Sequence, residues 1–406
     1  MCRFYYIVLL FSLLWPSQPK AQAGDSALVH ALLLQLDSMQ FKQDTGEFYK
    51  GMFKGYRQCG GSPHNYQPDN NVFFTAIAAF GLKNMLPSLT SADRQIAETI
   101  ISRATTCFPY FKNRYGYPYY GFWPTNAIIM PHTLIFKYLK QVFGQGEDAD
   151  DTVMILMAND TDDSTANVLK KRLVSLSNIT KGKKIISTYK KYRSLPAYST
   201  WLGERMAPDF DFAVHCNILY FVLSKKLPLA REDSATIQLL AEMVKNRDYM
   251  KNPVFLSPYY VKSPILLYHI TRLMHAFNIP ALEPYRGQLA EDVRSLIPTS
   301  YNTMDQIILR TALLRLGETA PELDVNSIAD FNESNQKSFV FFQARAAFPY
   351  PTPLKKIFLH WSYIYYYFYC PAYNKMLWLE YLVEKQHASI QNKTPEAIQQ
   401  FPQGFW

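Results

Sequence analysis

The sequence predicts an all-α fold, an α/α toroid in which a barrel of inner helices is wrapped by outer ones. Three observations predict it. Apolar residues recur at helical spacing along most of the chain. The resulting segments alternate between nearly wholly apolar ones and amphipathic ones with a charged face. Regular β-alternation is absent, apart from a short candidate strand at Ser338 to Gln343.

The elements follow in order. Ser26 to Gln40 carries leucines and Val29 at helical spacing. Asn71 to Met85 is an apolar helix closed by Pro87. Ser91-Ala92-Asp93 opens a helix running to about Cys107. Thr125 to Phe143 is a further apolar stretch, interrupted by Pro131. Ser164 to Ser177, Asp211 to Lys225, Ser234 to Lys245 and Pro264 to Phe277 follow, then Ala281 to Leu296, Asn302 to Leu316 and Ala372 to Glu384. VFFTAIAAF, AVHCNILYFVL, SPILLYHITRLMHAF and MDQIILRTALLRL are apolar almost all round, the mark of a buried helix. SADRQIAETIISRA, SATIQLLAEMVK and YRGQLAEDVRSL have one charged face and read as peripheral. No strict repeat or low-complexity linker divides the chain, so residues 24–406 are expected to form a single domain.

Residues 1–23 read as a secretory signal peptide. Arg3 supplies the positive start, Phe4 to Trp15 an apolar run too short to span a bilayer, and Ala21-Gln22-Ala23 a small-x-small cleavage pattern. The expected location is therefore outside the cytoplasm, periplasmic or secreted, with no later segment apolar for long enough to make a stable membrane span. Arg3 and Lys20 account for two of the nine net positive charges. The remaining basic residues are dispersed, except for a run from Lys181 to Arg193 that reads as a solvated face. No nucleic-acid module is recognisable, and no cofactor motif such as G-x-G-x-x-G or a P-loop occurs. Cys59 and Cys107 are free to pair in an oxidising compartment; Cys216 and Cys370 sit in apolar helices as buried thiols. Asn159, Asn178, Asn332 and Asn392 begin N-x-[ST] sequons, relevant only in a glycosylating host.

Chemistry concentrates in two acidic clusters, Asp148-Ala149-Asp150-Asp151-Thr152 and Asp160-Thr161-Asp162-Asp163-Ser164. Crowded, buried carboxyls hold a proton to higher pH, and a neutral carboxylic acid is a proton donor. The same oxygens suit a hard cation such as Mg²⁺ or Ca²⁺. Acids before a helix also cap it. The second cluster directly precedes the polar helix TANVLKKRLVSL and reads as a cap, with Asp163 in that role. The first precedes the apolar run VMILMA, where burial perturbs its acids.

Asp148-Ala149-Asp150-Asp151-Thr152 resembles the D-x-D-D-T/S motif of class II terpene cyclases, the squalene–hopene cyclase type, whose α/α toroid is shared with protein prenyltransferases. The resemblance implies that Asp150 is the general acid that protonates an alkene or epoxide, with Asp148 and Asp151 setting its proton and orientation. Ring faces stabilise carbocations in such sites. Tyr120, Phe122, Trp123, Tyr198 and Trp201, in the aromatic loops at Tyr115 to Pro124 and Pro196 to Trp201, are counterparts in kind.

A third constellation is Asp211, His215 and Asn217. Asp211 and His215 lie four apart on one helix face, so Asp211 could orient the imidazole, with Asn217 near the same helix mouth; the alternative is an N-cap and a core histidine. The expected ligand is a small apolar molecule or a sugar, without nucleic acid, metal or cofactor. Two other readings stay open. One is a carbohydrate-active toroid, hydrolase or lyase, with paired carboxylates across an open groove. The other is a non-catalytic, ligand-binding toroid. The loop at Tyr115 to Pro124, the acids at 148–151, Tyr198 to Trp201 and the helix start at Asp211 each precede an apolar helix. They are therefore expected to gather at one end.

Overall fold

The computed structural model describes residues 24–61, 65–125, 147–180, 185–186, 188–203, 208–323, 325, 331, 339–345, 363 and 365–391. The signal-peptide segment, the apolar stretch after Thr125, part of the basic run after Lys181 and the sequons at Asn332 and Asn392 lie outside the described residues.

Among the described residues there are thirteen α-helices. Six are buried over most of their surface: α2 (Phe73–Met85), α4 (Ala149–Ala158), α6 (Phe212–Ser224), α10 (Ser263–Ala276), α12 (Thr303–Arg315) and α13 (Pro371–Gln391). Each packs on the next in that order, and α13 packs back on α2. Gly81 permits that last contact, because a Cβ there would lie 2.9 Å from Met376 Sδ.

The amphipathic helices lie against this set. They are α1 (Asp25–Met39), α3 (Ser91–Thr105), α5 (Asp163–Ser175), α7 (Arg231–Lys245) and α11 (Arg286–Leu296), with the one-turn helices α8 (Asp248–Lys251) and α9 (Pro253–Leu256) between α7 and α10. On α3 only Asp93, Ala97, Ile100 and Ala104 are buried, a single stripe at helical spacing. α3 packs on α1 and α2, α7 on α6, and α11 on α12. The division into buried and peripheral helices matches the apolar and charged segments of the sequence. Two starts differ by more than two residues: the helix expected from Ser234 begins at Arg231, and the one expected from Ala281 begins at Arg286, after a 3₁₀ turn at Glu283–Tyr285.

A small sheet corrects the all-α expectation. Strands β1 (Gly55–Cys59), β2 (Tyr66–Asp69), β3 (Phe342–Arg345) and β4 (Tyr365–Tyr369) form an antiparallel sheet in the order β2-β1-β4-β3. The strand expected at Ser338 to Gln343 is in fact Phe342–Arg345. The other three lack a period-2 pattern: β1 buries Arg57 and Gln58 in succession, and β4 is aromatic throughout. Aromatic residues favour strands, and that is the signal carried by YYYFY. β3 stacks Phe342 on Phe368 of β4 at 4.8 Å and turns the same ring edge-on to Phe73 at the start of α2, 5.1 Å away. The sheet therefore packs at the helix N-termini.

The loops ahead of the buried helices also meet there. Gly121 bridges to Glu147 and Asp148 to Trp201. Ala149 N–H donates to Thr200 O at 2.8 Å, and Thr200 N–H to Asp209 O at 2.9 Å. Among the described residues no helix is long and apolar enough to cross a membrane.

Candidate active site

Asp148 caps α4, its Oδ1 accepting from Asp151 N–H at 2.8 Å. That cap sets the first helical turn, which carries Asp150 and Asp151 into the interior, where Asp150 is 7% and Asp151 1% exposed. The free N–H groups of the turn favour carboxylates, while burial opposes ionisation.

Asp150 is held on both oxygens. Asn217 Nδ2, from the middle of α6, donates to Oδ1 at 2.6 Å. The Tyr260 hydroxyl, from the loop before α10, donates to Oδ2 in a short contact. Burial pushes the Asp150 pKa up to about 7, against the lowering effect of the two donors, and the nearby Asp148 and Asp211 add to the rise. Asp151 is pushed well above the usual carboxylate range by burial and by Asp148. The Asp148 carboxyl is the polar neighbour of its oxygens, and no other donor among the described residues reaches them. Asp148 is also raised by burial.

Asn217 turns its other face to α10. Its Oδ1 accepts from the Arg272 guanidinium. Arg272 Nη2 also lies 3.1 Å from His269 Nδ1, which in turn lies 3.2 Å from Asn217 Oδ1. Because Arg272 can only donate, its contact requires Nδ1 as acceptor and the proton on Nε2, a nitrogen with no hydrogen-bond partner among the described residues. Burial and the neighbouring Arg272 hold His269 neutral, far below its usual range. Aromatic rings pack around Tyr260, the hydroxyl donor to the acid. Tyr260 packs on Phe73 (6.2 Å), His269 (5.0 Å), Phe341 (5.6 Å) and Phe342 (6.2 Å).

The structure sorts the residues read from the sequence. Asp148, Asp150, Asp151 and Asn217 come together. Trp201 reaches the same place through its bridge to Asp148 and packs edge-on to Tyr259 at 5.9 Å. Tyr120 joins through its backbone, its N–H donating to Thr152 Oγ1 at 3.0 Å. Phe122 and Trp123 serve the sheet instead. Phe122 packs on Phe342 and Phe368, and Trp123 Nε1 donates to buried Asp69, which pairs with Arg57 at 3.2 Å. Tyr198 points outward, its hydroxyl on Asp233 of α7 at 2.7 Å.

Asp211 does not orient His215. Its carboxylate caps α6 by accepting from Ala213 and Val214 N–H, and it also takes Ser257 Oγ at 2.6 Å and Tyr259 N–H at 3.0 Å. His215 Nε2 meets Tyr198 O at 2.8 Å, and burial lowers its pKa to about 4. It is a core histidine.

The second acidic cluster is a cap, but through Asp162, which accepts from Thr165 N–H at 2.8 Å and Oγ1 at 2.9 Å. Asp163 is already the first helical residue. Cys59 and Cys107 are both free. Asn178 is fully buried and donates to Arg193 O and Leu195 O, a loop anchor rather than an accessible sequon. Among the described residues no three His, Cys, Asp or Glu side chains converge as a metal-binding set.

No protein-family model and no curated protein matches the chain. The site must be read from its own geometry.

Sequence reasoning missed Tyr260, His269 and Arg272. Tyr260 had a signal, since Ser257-Pro258-Tyr259-Tyr260 is an aromatic loop just before an apolar helix, like the loops at Tyr115 to Pro124 and Pro196 to Trp201. His269 and Arg272 lie inside SPILLYHITRLMHAF, where nothing local distinguishes a polar residue facing the interior from one facing an outer helix.

Proposed function

We propose that the chain is an α/α toroid that carries out acid-initiated cyclisation or isomerisation of an isoprenoid, with Asp150 as the general acid. The return of α13 onto α2 supports the toroid, since six buried helices packed in a closed cycle are what an inner barrel requires. The observation that carries the chemistry is a buried carboxyl, held by Asn217 and by a tyrosine that is itself packed among aromatic rings, and pushed to about 7, which keeps a transferable proton at neutral pH.

Asp150 would give that proton to an alkene carbon or an epoxide oxygen. The ring faces of Tyr260, Phe341 and Phe342 would face the resulting cation. Loss of a proton elsewhere on the skeleton balances the reaction, so product and substrate are isomers. Asp148 and Asp211 raise the proton affinity of Asp150 and would not touch the substrate. A glycoside-cleaving site, by contrast, would place two acids across a groove wide enough for a sugar ring; here the acids at 148–151 share one helix start and the Asp150 carboxyl is taken up by Asn217 and Tyr260. With residues 1–23 read as a signal peptide, this chemistry would run outside the cytoplasm.

The test is incubation of the purified protein with a panel of linear isoprenoids (a C30 triene-rich hydrocarbon, its epoxide, and C15 and C20 alcohols) in D₂O, with products read by gas chromatography and mass spectrometry. The expected result is an isomeric product that gains one deuterium at a former alkene carbon, and its loss in Asp150→Asn. A folded wild-type protein that neither binds nor converts any member of the panel would overturn the proposal.

A further inference from the structure

Arg272 is a cation deep among the buried helices, 5% exposed. Among the described residues no carboxylate lies within ion-pair distance of it; its guanidinium lies over the rings of Phe80 at 5.3 Å and Tyr268 at 5.4 Å. A buried charge is costly unless its hydrogen bonds are well used. Arg272 directs its hydrogen bonds to Asn217 Oδ1 and His269 Nδ1.

An amide side chain has one accepting and one donating end, and the two can exchange by a half-turn about the last bond. Asn217 stands between Asp150 and Arg272 with one end toward each. Arg272 can only donate, so it admits only the carbonyl end of Asn217. The NH₂ end is then turned to Asp150. Without Arg272, the carbonyl end keeps only His269 Nδ1, 3.2 Å away and a donor only once its proton moves from Nε2, and the opposite orientation, in which Asn217 accepts a proton from a neutral Asp150, becomes open.

We propose that Arg272 is a positioning residue for the acid: by fixing the orientation of the Asn217 amide, it ensures that Asp150 receives a donor on each oxygen. A donor to the carboxylate favours the ionised form, and an acceptor favours the neutral one. Arg272 thereby limits how tightly Asp150 holds its proton, so that the proton can leave. Without it, burial would make Asp150 a permanently neutral and weaker acid.

The groups that face Asp150 are Asp148 and Asp151 at the start of α4, Asp211 and Cys216 at the start of and on α6, and Tyr260 from the loop before α10; His269 of α10 faces Asn217. On α2 the single charged group, Lys83, binds Met157 O at the far end of α4. None of these groups donates to the Asn217 carbonyl as Arg272 does. His269 Nδ1, at 3.2 Å, is already an acceptor from Arg272.

The use of this arrangement rests on the reading of Asp150 as the general acid, but its test does not need a substrate. The titration midpoint of Asp150 is read from the pH dependence of unfolding, as the difference between each protein and its Asp150→Asn partner. The comparison is made in four backgrounds: wild type, Arg272→Met, Asn217→Ala and the double variant. Arg272→Met is expected to raise the midpoint by about one unit, a tenfold increase in proton affinity, which is the scale of one charge-assisted hydrogen bond. In the Asn217→Ala background the same substitution should add less than about a third of that, because the group it acts through is gone.

Equal shifts in both backgrounds would mean that Arg272 acts only as a distant charge, and no shift would mean that it does not act on Asp150. Either result overturns the proposal. Arg272→Gln, a neutral donor, provides a second route should the methionine variant fail to fold. It is expected to keep the midpoint near the wild-type value, and a full unit of rise would overturn the proposal in the same way. Absence of isoprenoid turnover would instead count against the proposed reaction and leave these titrations unaffected.

Discussion

Replacing Asp150 by Asn should stabilise this protein at alkaline pH and have little effect in acid. In the unfolded chain the carboxyl titrates at its ordinary value, 3.8, and in the folded protein at about 7. Between these values the folded state binds more protons than the unfolded one. The contribution of Asp150 is therefore fully favourable below 3.8 and is lost as pH rises through 7. The shift of about three units corresponds to roughly 4 kcal/mol of stability lost between about pH 4 and about pH 8. The amide of the Asp150→Asn variant is neutral at every pH and loses nothing.

Other buried groups titrate in the same range. Asp211, raised to about 6, acts in the same direction as Asp150, whereas His215, lowered to about 4, and His269, far below its usual range, gain stability as pH rises. They occur in both proteins, so the difference between variant and wild type reports Asp150 together with its coupling to Asp148, Asp151 and Asp211. The assay is urea unfolding followed by circular dichroism at unit steps from about pH 4 to about pH 8. The expected difference curve climbs by about 4 kcal/mol, most of it below about pH 7. A curve flat to within about 1 kcal/mol would show that Asp150 is not held protonated by the fold, and would remove the basis for its role as an acid.

Further outcomes follow from named contacts. Asp162→Ala should lower the melting temperature as a lost cap while leaving the Asp150 titration in place; Asp163→Ala should lower it less, which a thermal melt of the two will rank. Tyr260→Phe removes the donor to Asp150 Oδ2. It should move the Asp150 midpoint above about 7 and cost about 1–3 kcal/mol at about pH 8, read by the same unfolding series. Arg57→Met leaves Asp69 buried with only Trp123 and Asn71 to meet it, and should destabilise by about 3–5 kcal/mol; a loss below about 1 kcal/mol would mean that the pair is not ionised. Thiol labelling without reductant should find Cys59 reactive in the native protein. Cys107, Cys216 and Cys370, whose burial raises their thiols, should react only after unfolding.

Which helices are buried was legible in the amino-acid order alone. VFFTAIAAF, AVHCNILYFVL, SPILLYHITRLMHAF and MDQIILRTALLRL all lie among the buried helices, because a helix apolar on every face can satisfy itself only inside. The same order pointed to Asp150, through acids placed directly before such a helix. The succession of loops and buried helices further indicated that the loop at Tyr115 to Pro124, the acids at 148–151, Tyr198 to Trp201 and Asp211 would gather at one end; of these, Trp123 turns to Asp69 and Tyr198 to α7. The sheet was not legible, because strands of four or five residues with consecutive buried or aromatic positions have no alternation to read. Nor was Asp162 separable from Asp163 as the cap, a difference of one residue set by backbone angles.

What the polar residues in the apolar helices do emerged only from the packed molecule. His215 and His269 look alike in sequence, each embedded in hydrophobic neighbours, yet one anchors Tyr198 O and the other meets Arg272. Local patterns record how a residue is placed on its own helix. Which side chain waits on the facing helix depends on how α4, α6 and α10 are rotated against one another. That packing brings Asp150, Asn217 and Arg272 into one line, although each lies on a different helix and far from the others along the chain.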